Sequence, residues 1–102
     1  MRVPVVWTAA AAADLEIILD YIETESPRDA LIMALAIRQG ANALLGEYPE
    51  IGRRGRAAST RELVIARTPF VVVYRVQKKP ARVEIIRVLH GAQKWPPSPP
   101  SG

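Results

Sequence analysis

The chain has 102 residues, enough for one domain with one modest core, and 49% of them are hydrophobic, too many for a disordered polymer. It holds no cysteine and a single histidine, His90, which excludes disulfide scaffolds, thiolate metal sites, Fe–S clusters and cysteine nucleophiles. The formal net charge of +4 is unevenly split, with −5 on residues 1–50 and +9 on residues 51–102. A basic half of that size is either a footprint for a polyanion or an acidic protein, or a solvated arginine-rich surface.

Val3 to Trp7 reads as a short β-rich segment, with Pro4 marking an edge strand. The uncharged run from Val3 to Ala13 after Arg2 imitates a signal peptide. Pro4 and Thr8 interrupt it, however, and its alanines continue in register into a helix, so no leader, membrane span or export is expected and the location implied is cytoplasmic. Thr8 is the expected N-cap, and Ala11, Leu15, Ile18, Leu19 and Ile22 recur at helical spacing behind it. Ser26-Pro27-Arg28-Asp29 starts a second helix, with a capping serine and proline at the first helical position. Its stripe is Ala30, Met33, Ala34, Ile37, Ala41, Leu44 and Leu45, ended by Gly46 and Pro49. The short junction between the helices predicts an antiparallel hairpin.

Residues 46–60 read as a glycine-rich loop carrying Arg53, Arg54 and Arg56. Three strands follow: Arg61–Ala66, Phe70–Val76 and Val83–Leu89, joined by turns at Thr68-Pro69 and Lys78-Lys79-Pro80. The expected fold class is α+β, in the order β-α-α-β-β-β, with the helical hairpin on one face of a small, mainly antiparallel sheet and the other face open. Residues 1–95 form the single domain, and the Pro-rich tail 96–102 is expected to be extended or disordered.

The pieces Val5-Val6-Trp7-Thr8, Asp14-Leu15, Asp20-Tyr21-Ile22, Pro49-Glu50-Ile51-Gly52-Arg53, Arg61-Glu62-Leu63, Phe70 to Val76 and Ile85 to Gln93, in this order and spacing, resemble the RelE/ParE superfamily of bacterial toxins from type II toxin–antitoxin modules, also called plasmid stabilisation proteins. The resemblance implies a growth-inhibiting toxin held inactive by a cognate acidic antitoxin, touching operator DNA only through that antitoxin, with no cofactor, no metal and no membrane partner. RelE-like members cut mRNA in the ribosomal A site, whereas ParE-like members are described as poisons of DNA gyrase. The Pro-Glu-x-Gly-Arg loop and the Arg-Val-Leu-His-Gly ending look closer to the ParE branch.

Three readings stand at this point: a gyrase-trapping binder, a ribosome-dependent endoribonuclease, and an inactive toxin kept as an antitoxin-binding corepressor. Metal-free RNA cleavage needs a base, a cation at the crowded phosphate and an acid for the leaving oxygen. His90 titrates near neutrality, Arg61, Arg67, Arg75 and Arg87 carry positive charge, and Tyr74 can stack a base or donate a proton. The nuclease reading therefore draws on His90, Arg87, Arg61 and Tyr74. Strand parity sets Arg87 and His90 on opposite faces unless a bulge intervenes. Target or antitoxin contact is assigned to Arg53, Arg54, Arg56, Arg61, Arg67 and Arg75. The bland alternatives are a strand-ending histidine, a core tyrosine and solvated arginines.

Overall fold

The structure, a computed structural model, describes residues 2–96. Its elements are β1 (Val5–Trp7), α1 (Ala9–Glu23), α2 (Pro27–Glu47), β2 (Arg53–Arg54), β3 (Arg61–Val64), β4 (Phe70–Lys78) and β5 (Ala81–His90). The fold is α+β, with the two helices packed on a five-stranded sheet in the order β1-β5-β4-β3-β2. Only β1 runs parallel to its neighbour, β5; the other pairings are antiparallel. The expected tail lies, beyond Pro96, outside the described residues.

Capping chemistry sets both helix starts. The Thr8 hydroxyl accepts the Ala11 N–H at 3.2 Å and donates to the Ile85 carbonyl at 2.9 Å, so one side chain both caps α1 and fastens it to β5. The Ser26 hydroxyl accepts the Asp29 N–H at 3.2 Å, and Pro27 occupies the first turn. Ala11, Leu15, Ile37, Ala41 and Leu45 then bury against Leu63, Ile65, Phe70, Val72, Tyr74, Val83, Ile85 and Val88 of the sheet. The alanines allow close approach of the helix backbones to one another and to the sheet.

Two expectations about α2 and its sequel need correction. Gly46 does not stop the helix, which runs on to Glu47, and its φ is not positive. Its smallness serves the N-terminal segment instead: a Cβ there would lie 2.7 Å from the Arg2 guanidinium, and its carbonyl accepts the Val3 N–H. Residues 46–60 are also not all loop. Arg53 and Arg54 pair with Glu62 and Arg61 as the edge strand β2.

Register divides the sheet into two faces. Arg54, Arg61, Tyr74, Ile85 and Trp7 are successive cross-strand neighbours on the helix side. Arg53, Glu62, Val73 and Arg87 are neighbours on the other. A bulge leaves Ile86 without a partner on β4, since Val73 pairs with Arg87 and Tyr74 with Ile85. It lies before Arg87, so Arg87 and His90 still leave the strand on opposite faces. The second face is not open, contrary to expectation: Glu62, Val71, Val73 and Leu89 on it are all buried. Arg56 bridges it, bonding Glu62 and the Gln93 carbonyl, while Trp95 lies over the Arg87 guanidinium at 5.2 Å. The loop after β2 and the segment after β5 thus take the place of a second helical layer.

Candidate functional site

The four groups of the nuclease reading fall into two places. Tyr74 is completely buried, and its hydroxyl accepts the Gly52 N–H at 2.8 Å. Burial raises its pKa, against the opposing pull of the Gly52 N–H and of Arg61. Gly52 is required there, because a Cβ would meet the Tyr74 hydroxyl at 2.6 Å and the Glu62 carbonyl at 2.8 Å. Arg61 holds the same loop, donating to the Gly52 carbonyl at 2.8 Å and the Glu50 carbonyl at 3.1 Å. Tyr74 and Arg61 therefore pin the 48–52 segment to the sheet. Tyr74→Phe leaves the buried Gly52 N–H without its acceptor and should cost about 1–3 kcal/mol, measured by urea unfolding.

Arg87 pairs with Val73, next to Tyr74 along β4 but on the opposite face of the sheet, and His90 ends β5. The Arg87 guanidinium reaches round the strand edge and grips Asp14 of α1 with two bonds, 2.6 and 3.0 Å long. The hydrogen bond to Asp14 raises the Arg87 pKa above its ordinary value. Asp14 also accepts the Val88 N–H at 3.0 Å, which satisfies β5 where β1 has ended. His90 packs edge-on against Phe70, with ring centroids 5.9 Å apart, and its Nδ1 accepts the Ala92 N–H at 3.1 Å. That bond places the proton of the neutral ring on Nε2. Arg87 and His90 do border one shallow depression with Asp14 and Gln93. The arginine there is already neutralised by a carboxylate.

The arginines assigned to partner contact separate likewise. Arg53 and Arg56 converge on Glu62, at 3.0 and 3.1 Å, and the Arg56 N–H adds a third bond to it at 2.8 Å. Burial alone would raise the Glu62 pKa; the bonds from Arg56 and Arg53 outweigh it and hold the carboxyl below its ordinary value. Two of the three loop arginines are therefore internal structure rather than a free basic footprint. Arg75 pairs with Glu84 at 3.6 Å, and Arg67 stands in the β3–β4 turn with a left-handed φ of 66°. Arg54, Arg61 and Arg67 have no carboxylate partner among the described residues.

A surface that sequence reasoning did not single out is an apolar groove of about 530 Å³. Ile17, Tyr21 and Ile22 of α1 form one wall, and Pro69, Phe70 and His90 form the other. Ile17 and Tyr21 are 68% and 75% exposed, unusual for large apolar side chains one helical turn apart. The signal was present in the sequence: Ile17 and Tyr21 extend the apolar stripe of α1 beyond the arc that one sheet can cover. Among the described residues no helix is long and apolar enough to cross a membrane.

Comparison with known proteins accords with this architecture. The sequence model of the ParE toxin of the type II toxin–antitoxin system parDE matches residues 5–95. Y4kP of Sinorhizobium fredii is 42% identical over 90 residues, covering 88% of this chain and 90% of that protein. Toxin RelE2 of Caulobacter vibrioides is 45% identical over 89 residues, covering 87% of this chain and 96% of that one. Among solved structures, a chain of the chromosomal ParDE toxin–antitoxin system of P. aeruginosa superposes with a TM-score of 0.76 at 29% identity, covering 87% of this chain and 96% of its own length. A chain of the RelBE2 toxin–antitoxin complex of Mycobacterium tuberculosis shares the fold, with a TM-score of 0.66 at 24% identity over 91% of this chain and 95% of that one. The match from β1 to the end of the β5 segment, with relatives above 40% identity along almost their whole length, places the chain in the ParE toxin family of type II toxin–antitoxin systems.

Proposed function

We propose that this toxin acts in the cytoplasm by binding and trapping DNA gyrase, and that it uses no catalytic residue of its own. The observation carrying this reading is the separation of the acid–base candidates. Tyr74 is buried and bonded to Gly52, and Arg61 is bonded to backbone carbonyls beside it. Arg87 leaves β5 on the face opposite Tyr74 and is bonded to Asp14, and of the other three candidates His90 alone borders its depression. A 2′-hydroxyl attack needs base, cation and acid around one phosphate. The His90 depression supplies one imidazole and one cation already paired with Asp14.

The cognate antitoxin completes the proposal. Its acidic, amphipathic segment lies in the Ile17–Tyr21–Phe70–His90 groove, burying apolar side chains that water otherwise covers. The solved relative from the P. aeruginosa ParDE toxin–antitoxin system supports an antitoxin as the partner.

Induced expression of the chain alone should arrest bacterial growth and switch on the DNA-damage response while translation continues. His90→Ala should keep that toxicity, whereas a nuclease dependent on His90 would lose roughly 10²-fold or more of its activity. Pulse labelling of protein synthesis beside a damage-response reporter distinguishes the readings. Early translation arrest abolished by His90→Ala would establish the ribonuclease. Normal growth with soluble protein present would overturn the active-toxin readings and favour the inactive corepressor.

A further inference from the structure

We infer that the β2 edge of the helix-side face carries an anion site, built from Arg54, Arg61 and Lys78, that takes a phosphate of a nucleic-acid backbone. This goes beyond the gyrase proposal and does not require it.

Three observations converge there. Among the described residues, six of the fourteen lysines and arginines form ion pairs with carboxylates. Of the remaining eight, Arg54, Arg61 and Lys78 line a single cavity of about 240 Å³. Arg54 and Arg61 are moreover direct cross-strand neighbours, and like charges so placed weaken a sheet. On the opposite face the same two strands place Arg53 against Glu62, a favourable pair. The arrangement of β2 on β3 is thus satisfied on one face and left positively frustrated on the other. An anion bound between the two guanidinium groups removes that repulsion.

The site is also preorganised. Arg61 is held by the Gly52 and Glu50 carbonyls, so one cation is fixed before any ligand arrives. Ser59, with a left-handed φ of 62°, and Thr60, whose hydroxyl donates to the Ala57 carbonyl at 2.7 Å, complete the wall of the cavity. Arg54, Ser59 and Thr60 also border a second depression of about 520 Å³ formed by the 54–60 loop. Two adjoining depressions sharing an arginine suit successive phosphates of one strand better than an isolated carboxylate. Guanidinium groups match phosphate with paired N–H bonds, and lysine adds a point charge. Among the described residues, Glu50 is the only carboxylate on the cavity wall and is in no ion pair. Its charge opposes an incoming phosphate.

The Glu50 position gives the test a variant that gains affinity, which unfolding cannot imitate. Fluorescence anisotropy of the purified full chain with a labelled single-stranded oligonucleotide, at several salt concentrations, reads the affinity. Arg54→Ala and Lys78→Ala should each weaken binding roughly tenfold and lower the salt slope by about 0.7. Glu50→Gln should tighten it several-fold, and inorganic phosphate should compete. Arg54 and Lys78 are exposed, and circular dichroism should confirm that their variants remain folded. Oligonucleotide binding that ignores all three substitutions, or no binding, would overturn the assignment. So would a polyglutamate peptide binding as tightly, which makes the site an acidic-protein contact. Phosphate protection of the fold without oligonucleotide binding would overturn it in favour of a small-anion site.

Discussion

Glu62→Ala is expected to lower the melting temperature by roughly 15 °C, the equivalent of about 3 kcal/mol in a domain of this size. The Glu62 side chain is fully buried and gathers the Arg53 and Arg56 guanidinium groups and the Arg56 N–H. Removing it strips those donors of their acceptor and opens a void beside Val73, while the half-exposed arginines recover part of the loss in water. Glu62→Gln keeps the volume and should cost about half as much. The two variants also differ from the parent in pH dependence. The folded pKa of Glu62 lies below its unfolded value, so its contribution is complete above the unfolded carboxylate pKa, about 4.3, and is lost as pH falls through the folded value. Thermal melts followed by circular dichroism from pH 7 down into the acid range should show the parent and Glu62→Gln converging as the pH drops. Curves that stay parallel would mean that the carboxylate charge is not what holds the loop.

This ion cluster also shows why the sequence misled at one place and not at others. The cap at Thr8, the Ser26-Pro27 start and the apolar stripes of both helices are local signals, written within four residues of where they act. The three long strands announce themselves by β-branched runs and turn residues. Arg53-Arg54, by contrast, is a strand only because Glu62, nine residues on, holds it there. No hydrophobic alternation marks it, and an arginine-rich, glycine-flanked stretch reads as a solvated loop. Burial of the second face is hidden for the same reason. Val71 and Val73 advertise a buried strand, but Arg56, Gln93 and Trp95, which help cover that side, are dispersed along the chain.

The candidate site was legible only as an inventory. Composition supplied His90, Tyr74 and the arginines; geometry decided which of them were free to act. Parity correctly set Arg87 and His90 on opposite faces. It could not foresee that the Arg87 side chain would curl round the end of β1 to Asp14, because that path exists only where a three-residue strand stops short of its longer neighbour. Tyr74 shows the opposite case. Its place in an apolar strand implied a core residue, and the core is where it lies, with Gly52 cut to fit its hydroxyl.

Ile17→Glu should weaken antitoxin binding by roughly 100-fold or more while leaving the melting temperature of the free toxin within about 2 °C. The size follows from the behaviour of apolar anchors at the centre of an interface, where a buried, unpaired carboxylate replaces a desolvated side chain. The small effect on the free protein follows from exposure, since the Ile17 side chain faces water before the partner arrives. Tyr21→Glu, one turn along the same wall, should behave alike, and the double variant should add little once the groove is lost. Leu31 of α2 is a matched control: it is 62% exposed, equally apolar, and not part of the groove wall. Leu31→Glu should therefore leave affinity nearly unchanged when all these variants are titrated with the antitoxin by calorimetry. In cells the groove variants should remain toxic while their antitoxin is co-expressed, because the weakened antitoxin no longer holds them. Loss of binding through Leu31→Glu with Ile17→Glu unaffected would move the antitoxin to the α2 face, where the exposed Leu31, Ile32 and Leu35 form the alternative apolar surface.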